Sequence, residues 1–329
     1  MIRLAALIAL LLAAIPSWAQ TDEQYIRYWK SEFPMTDFSK RSVDFGEILS
    51  GGPPRDGIPP IDEPAFVPVA EAEGLSDRDP VIGLVIDGEA KAYPLSVLMW
   101  HEIANDDLAG VPVAVTFCPL CNAAIVFDRR LDGRVLDFGT TGRLRHSDLV
   151  MYDRQTESWW QQFLGEAIIG ELTGKRLKII PSRLESFGNF RKRAPDGEVM
   201  VPSGRYVRNY GQNPYVGYDT LAQPFLFRGD LPEGLPPMMR VVSLGAEGAW
   251  SLPLVRQKGE IELPDGRLIR WTPGQVSALD ENVISESRDV GNVTVTRIQD
   301  GQEIDVAHGI DFAFAYHAFY PDAPIHHVE

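Results

Sequence analysis

Two cysteines in 329 residues exclude a disulfide framework, which small exported domains build from many. Beyond its first twenty residues the chain also lacks any apolar run near the ~20 residues a membrane helix needs. Positive charge is scarce: a formal net charge of −15 disfavours nucleic acid and anionic membrane surfaces as partners. No phosphate-cradling loop is present, because Gly139-Thr140-Thr141-Gly142 has neither the lysine nor the spacing of one, and no nucleotide or flavin signal accompanies it. The partner is therefore read as a small molecule or another protein, of unassigned identity. An apolar fraction of 44% and a charged fraction of 23% are ordinary for a globular protein.

The N-terminus reads as a Sec-type signal peptide over residues 1–19. Arg3 is its short basic region, residues 4–15 its apolar core, and Ser17-Trp18-Ala19 a small-x-small cleavage site. A core of about twelve residues is too short for a mature membrane span. Neither a twin arginine nor a cysteine at the cleavage site points to Tat export or a lipid anchor. The expected location is the periplasm or outside the cell, with no membrane span in the mature chain.

After the signal, residues 20–74 combine a polar helical stretch, with Tyr25, Tyr28 and Trp29 available for docking, and a segment dense in Gly and Pro. Strand patterns follow. Asp87-Gly88, Asp132-Gly133, Asp265-Gly266 and Asp300-Gly301 each separate two apolar runs, the signature of tight hairpins. The fold class is mainly β, sandwich- or barrel-like, with antiparallel hairpins and a few short helices. A first β-rich unit spans residues 75–200 and a second 238–329. Residues 201–237, rich in Tyr, Pro and Gly, connect them as loops. A hairpin running into a Pro-Leu helix start occurs at Pro94-Leu95 and again at Pro253-Leu254, which suggests a two-fold internal repeat. The second unit has no cysteine, so the cysteine turn reads as an addition for chemistry on a scaffold that folds without it.

That turn is Cys118-Pro119-Leu120-Cys121-Asn122, between two strand patterns. In metal-binding knuckles the residue after the second cysteine tends to a left-handed conformation, which Asn tolerates. The pattern resembles a rubredoxin or zinc-ribbon knuckle, present once. It also resembles the Cys-Pro-x-Cys of glutaredoxins, but their first cysteine opens a helix, and residues 123–128 alternate like a strand.

Several segments together resemble the DUF3179 family. They are His101-Glu102-Ile103-Ala104-Asn105-Asp106, Thr116 to Ala123, Phe138-Gly139-Thr140-Thr141-Gly142, residues 149–159, residues 48–59 and Phe319-Tyr320-Pro321-Asp322. The resemblance covers nearly all the mature chain. It implies an exported prokaryotic protein and no settled reaction; Asn122 stands where the family motif usually reads Gly.

The leading expectation is a metal site holding Cys118 and Cys121 with His101 and His146 as candidate imidazole ligands. Copper is favoured slightly over zinc, since the four-cysteine set of a structural zinc site is missing. Redox activity and turnover are left open. The alternatives are a non-catalytic binding or scaffold protein, with a Cys118–Cys121 disulfide or a structural metal, and then a thiol–disulfide oxidoreductase. Met151 reads as core. Asp148, Asp153 and Arg154 read as an Asp–Arg brace within a hairpin. Trp159, Trp160 and the tyrosines of residues 206–218 read as core or groove lining. His326 and His327 read as disordered surface.

Overall fold

The computed structural model of the chain describes residues 17–328. Residues 1–16 of the expected signal segment lie outside them. No described helix is long and apolar enough to cross a membrane.

Tight turns set the architecture. Asp87-Gly88, with φ of 49° and 87°, joins strands Pro80–Ile86 and Glu89–Pro94. Ala109-Gly110, Asp132-Gly133 and Asp300-Gly301 have the same paired positive φ. Such turns match the right-handed twist of the strands they join. Apart from one two-stranded ribbon, the strands assemble into five sheets of four or five strands. The mainly-β expectation holds, and the sheets are arranged as a five-bladed, propeller-like ring.

Residues 80–201 and 240–326 follow one plan. In the first, the hairpin Pro80–Ile86/Glu89–Pro94 enters helix Leu95–Leu98 and then the strands Ile103–Leu108, Val111–Cys118, Ala123–Asp128 and Lys178–Ile180. Strand Arg183–Ser186 returns antiparallel to Pro80–Ile86, helix Phe187–Arg193 follows, and Glu198–Val201 pairs parallel with Glu89–Pro94. In the second, the hairpin Arg240–Ser243/Ala249–Ser251 enters helix Leu252–Lys258 and then Glu260–Glu262, Leu268–Thr272, Asn292–Gln299 and Gln302–Asp305. Gly309–Phe312 returns antiparallel, helix Ala313–Phe319 follows, and Ile325–His326 pairs parallel with Ala249–Ser251.

The correspondence reaches single residues. Val81 opposes Pro94 and Glu185; Val241 opposes Ser251 and Asp311. The closing helices end on Ala194 (φ −138°, ψ 62°) and Tyr320 (φ −135°, ψ 64°), and each is followed by Pro-Asp. The suspected repeat is therefore present in the topology, though the Pro-Leu match is displaced. Pro94 is the N-cap of its helix, its counterpart is Ser251, and Pro253 lies two residues further on.

Two differences between the units matter for function. Residues 129–177 are inserted before Lys178–Ile180, whereas the second unit makes the same connection with Asp300-Gly301. The inserted strands Phe138–Arg145, Asp148–Asp153, Trp159–Gln161 and Glu166–Ile169 form a sheet with Ile48–Ser50. The short Cys118–Cys121 turn, in contrast, corresponds to the long second-unit segment 273–291.

The N-terminal helix Ser17–Glu32 seals the inserted sheet. Trp159 is buried among Trp29, Phe33 and Phe38, at ring-centroid distances of 5.0, 5.0 and 5.7 Å. Each such aromatic pair contributes about 1 kcal/mol beyond area burial. Trp29 and Tyr25 dock as expected, while Tyr28 is exposed. Trp159 and Trp160 are core. His326 is ordered in a strand and stacks on Trp250, a correction to its expected disorder.

Candidate thiol and carboxylate site

The cysteine turn closes the hairpin of Val111–Cys118 and Ala123–Asp128. Asn122 has φ 54°, the left-handed conformation its position called for, and its N–H donates to Pro119 O. Two bonds tie the turn to the second unit. Asn122 Nδ2 donates to Ile310 O at 2.6 Å, and Phe312 N donates to Cys121 O at 3.0 Å. No helix begins at Cys118, so the structural basis of glutaredoxin-type thiol activation is missing. Burial pushes the Cys118 thiol up and the Cys121 thiol further, opposite to the direction a reactive thiolate needs.

The third member comes from the insertion. Strands Phe138–Arg145 and Asp148–Asp153 meet at a two-residue turn, His146-Ser147, with φ of 53° and 65°. The turn brings Ser147 O within 3.6 Å of Cys118 Sγ and sets Asp148 beside the thiols. One ligand atom each from Cys118, Cys121 and Asp148 lies within 4.8 Å of the others. Asp148 Oδ2 accepts from Gln161 Nε2 at 2.5 Å and from Phe163 N at 2.9 Å. Its buried Oδ1 has no hydrogen-bond partner among the described residues. Both cysteines are free thiols.

The two predicted histidines face elsewhere. His101 bonds Pro59 O at 2.7 Å and Tyr210 Oη at 2.8 Å, so both ring nitrogens are occupied. His146 Nε2 lies 3.4 Å from Glu47 Oε2, and its ring sits against Phe227 and Phe319. Met151 is core. The expected Asp–Arg brace is absent as drawn. Arg154 pairs with Asp62 at 2.8 Å, Asp153 holds Thr156 and Trp160, and Asp148 belongs to the site. The sequence put Asp148 in that brace rather than at the thiols; the signal for the site was an acid opening the apolar run Leu149-Val150-Met151.

Glu102 is the other residue that reading missed. It is buried at φ 59°, a conformation disfavoured for a residue with a Cβ. Its second-unit counterpart is Gly259, at φ 72°, between the corresponding helix and strand. The Glu102 carboxylate makes no hydrogen bond among the described residues, and it lines a cavity of about 350 Å³ together with Cys118. Strained residues with unpaired polar groups concentrate at functional sites. Replacing Glu102 with Gly is expected to stabilise the fold by about 1 kcal/mol, by relieving the backbone and removing an unpaired buried acid. Urea unfolding checks this; a clear destabilisation would make Glu102 a structural residue.

The remaining cavity wall is largely apolar: Ile58, Leu120, Leu144, Leu149, Tyr215 and Phe225. Residues 201–237 supply the outer side. Tyr218 Oη donates to Leu120 O at 3.0 Å, and Ser147 Oγ donates to Phe225 O. Pro53, Thr140, Gly142 and Arg143 also line the cavity. At Gly142, φ is 70° and a Cβ would lie 2.0 Å from Pro53 O, so only glycine lets the Gly/Pro-rich segment close this side.

Acids dominate the electrostatics; the buried Arg143 that also lines the cavity is paired with Glu32 at 3.0 Å. Burial pushes Glu102 up to about 8, with the like charge of Asp148 adding to it. Burial likewise pushes Asp148 up to about 7, against the Phe163 N–H, the Gln161 amide and the neighbouring Cys118 and Cys121 thiols, which all favour its charged form. Asp311, whose Oδ1 also lacks a partner among the described residues, is raised by burial to about 7. The first-unit counterpart of Asp311 is Glu185, paired with Arg193 at 2.5 Å; the counterpart of Arg193 is Phe319. The second unit has the acid without the cation. Three acids and two thiols thus share a buried region, and neither Glu102 nor Asp311 has a lysine or arginine among the groups that set its shift. A bound cation would satisfy this arrangement.

The fold and site define a mainly-β, propeller-like protein with a buried thiol–carboxylate centre beside an apolar cavity. The chain belongs to the DUF3179 family, described as "Protein of unknown function (DUF3179)", whose family model matches residues 55–323. No curated protein and no solved structure matches it.

Proposed function

We propose that this protein is exported and binds a metal ion through Cys118, Cys121 and Asp148, with Glu102 at the open side of the centre. The observations that carry the reading are the convergence of three ligand atoms, one each from Cys118, Cys121 and Asp148, within 4.8 Å, and an Asp148 carboxylate whose buried Oδ1 lacks a hydrogen-bond partner among the described residues. Two thiolates and a carboxylate are a harder donor set than the sequence offered, which moves the choice of ion from copper(I) towards zinc(II). Three donors leave a position for water or a substrate. That position would face the cavity lined by Cys118 and Glu102, and a small, largely apolar molecule fits its walls.

The test is elemental analysis of the protein purified from its native compartment, together with thiol counting. About one zinc per chain is expected, with thiols that become titratable only after chelation. Copper in its place would keep the site and change the ion. Metal-free protein with an oxidised Cys118–Cys121 pair would remove this reading in favour of a disulfide-bearing binding or scaffold protein.

A further inference from the structure

A second cavity, about 680 Å³, lies between the second unit and the connecting residues 219–221 and 236. Helix Leu252–Lys258 supplies Leu252 and Arg256 to its wall, and strand Leu268–Thr272 supplies Trp271. By the shared topology, Arg256 is the counterpart of Met99, Trp271 of Phe117 and Arg240 of Pro80. Met99 lines a cavity beside the thiol centre. At the one position the two hollows share, the first unit has Met99 and the second Arg256.

The arginines there are incompletely matched. Arg240, 8% exposed, donates through Nη2 to Asp219 at 3.0 Å and Ser277 at 2.8 Å. Its buried Nε has no partner among the described residues. Arg288 reaches the same Asp219 carboxylate at 2.8 Å and Asp280 at 2.7 Å. Arg256 stands 5.1 Å from the Trp271 ring centroid and makes no ion pair among the described residues. Asp219 thus serves two arginines, Asp280 pairs with Arg288, and Asp289 on the same wall accepts the Gly274 and Gly291 N–H groups, which leaves Arg256 without an ion pair among the described residues. Met238, Leu252 and Trp271 add apolar wall.

From this we infer that the second-unit cleft is a binding site for a small organic monoanion, a carboxylate on an apolar or aromatic body. The carboxylate meets the Arg256 guanidinium beside Arg240, and the body lies along Trp271 and Leu252. Planar guanidinium forks suit a carboxylate, and an apolar wall with few polar groups suits the rest of such a ligand. The inference is independent of any metal at the cysteines.

Calorimetric titration of the full chain with 2-naphthoate and with its uncharged isostere 2-naphthamide tests it. Saturable binding of naphthoate is expected, with naphthamide weaker by about tenfold, the scale of one charge-assisted hydrogen bond. Arg256→Gln, at an exposed position, should weaken naphthoate by about tenfold and leave naphthamide unchanged. Equal affinity for acid and amide overturns the inference. So does an Arg256→Gln protein, folded by circular dichroism, that binds naphthoate as wild type does. Failure of both probes to saturate at millimolar concentration also overturns it.

Discussion

Metal-free protein loses stability as the pH rises from about 5 to about 8, by an amount on the order of several kcal/mol. The folded chain holds Glu102 up to about 8 and Asp148 and Asp311 up to about 7, all by burial. In the unfolded chain these acids titrate near 4. Between those limits the folded state binds more protons, so its stability falls with rising pH. The contribution is fully present below about pH 4 and lost as the pH passes through 7 to 8. Glu47 does not compensate. Held down to about 2 by His146 and Arg145, it contributes stability that is lost only on acidification, below this window. Adding zinc should reverse the trend, because a bound cation makes the deprotonated site the stable one, and affinity rises with pH as the ligands give up protons. Urea unfolding at pH 5, 6.5 and 8, with chelator and with zinc, measures both slopes. A metal-free protein more stable at pH 8 than at pH 5 would contradict the buried acid cluster.

Asp148→Asn should cost the largest share of metal affinity for the smallest change in shape, on the order of a hundredfold or more. Outer-shell partners of metal ligands alone are worth about 10–100-fold, and Asp148 is assigned as a ligand itself. The amide oxygen can still accept from Gln161 and Phe163, so the local hydrogen bonds survive. The amide nitrogen replaces an oxygen that has no partner among the described residues, so metal-free stability at pH 8 should rise rather than fall. Competition with a chromophoric chelator gives the affinity, and the same unfolding series gives the stability. Unchanged affinity would reduce the site to two thiolates, the arrangement copper(I) prefers.

The hairpins were legible because a two-residue Asp-Gly turn is a local device, and Asp87-Gly88 adopts the backbone its residues suit. Asn122 was legible for the same reason. The internal repeat was visible only in outline, because one proline serves as N-cap at Pro94 and another sits inside the helix at Pro253. The closure of five sheets into a ring depends on pairings such as Arg183–Ser186 with Pro80–Ile86, about a hundred residues apart, for which no local pattern exists. The ligand set failed to emerge from sequence for a related reason. Histidine chemistry pointed to His101 and His146, yet a tyrosine far along the chain takes up His101, and Asp148 follows His146 by only two residues on the other side of a turn. Glu102 becomes conspicuous only when the repeat aligns it with Gly259, because its backbone conformation cannot be read from its own side chain.

The two bonds between the cysteine turn and strand Gly309–Phe312 make the centre a gauge of the far half of the molecule. Asn122 is anchored to a carbonyl 188 residues away, and Cys121 receives the N–H of Phe312. Spacing between the sulfurs is therefore calibrated by a segment that supplies no donor atom. For an ion held as proposed, loosening strand Gly309–Phe312 would register first as a looser grip on that ion, before the unit unfolds. An ion lost from an otherwise folded chain would then report damage at a distance, with every ligand intact.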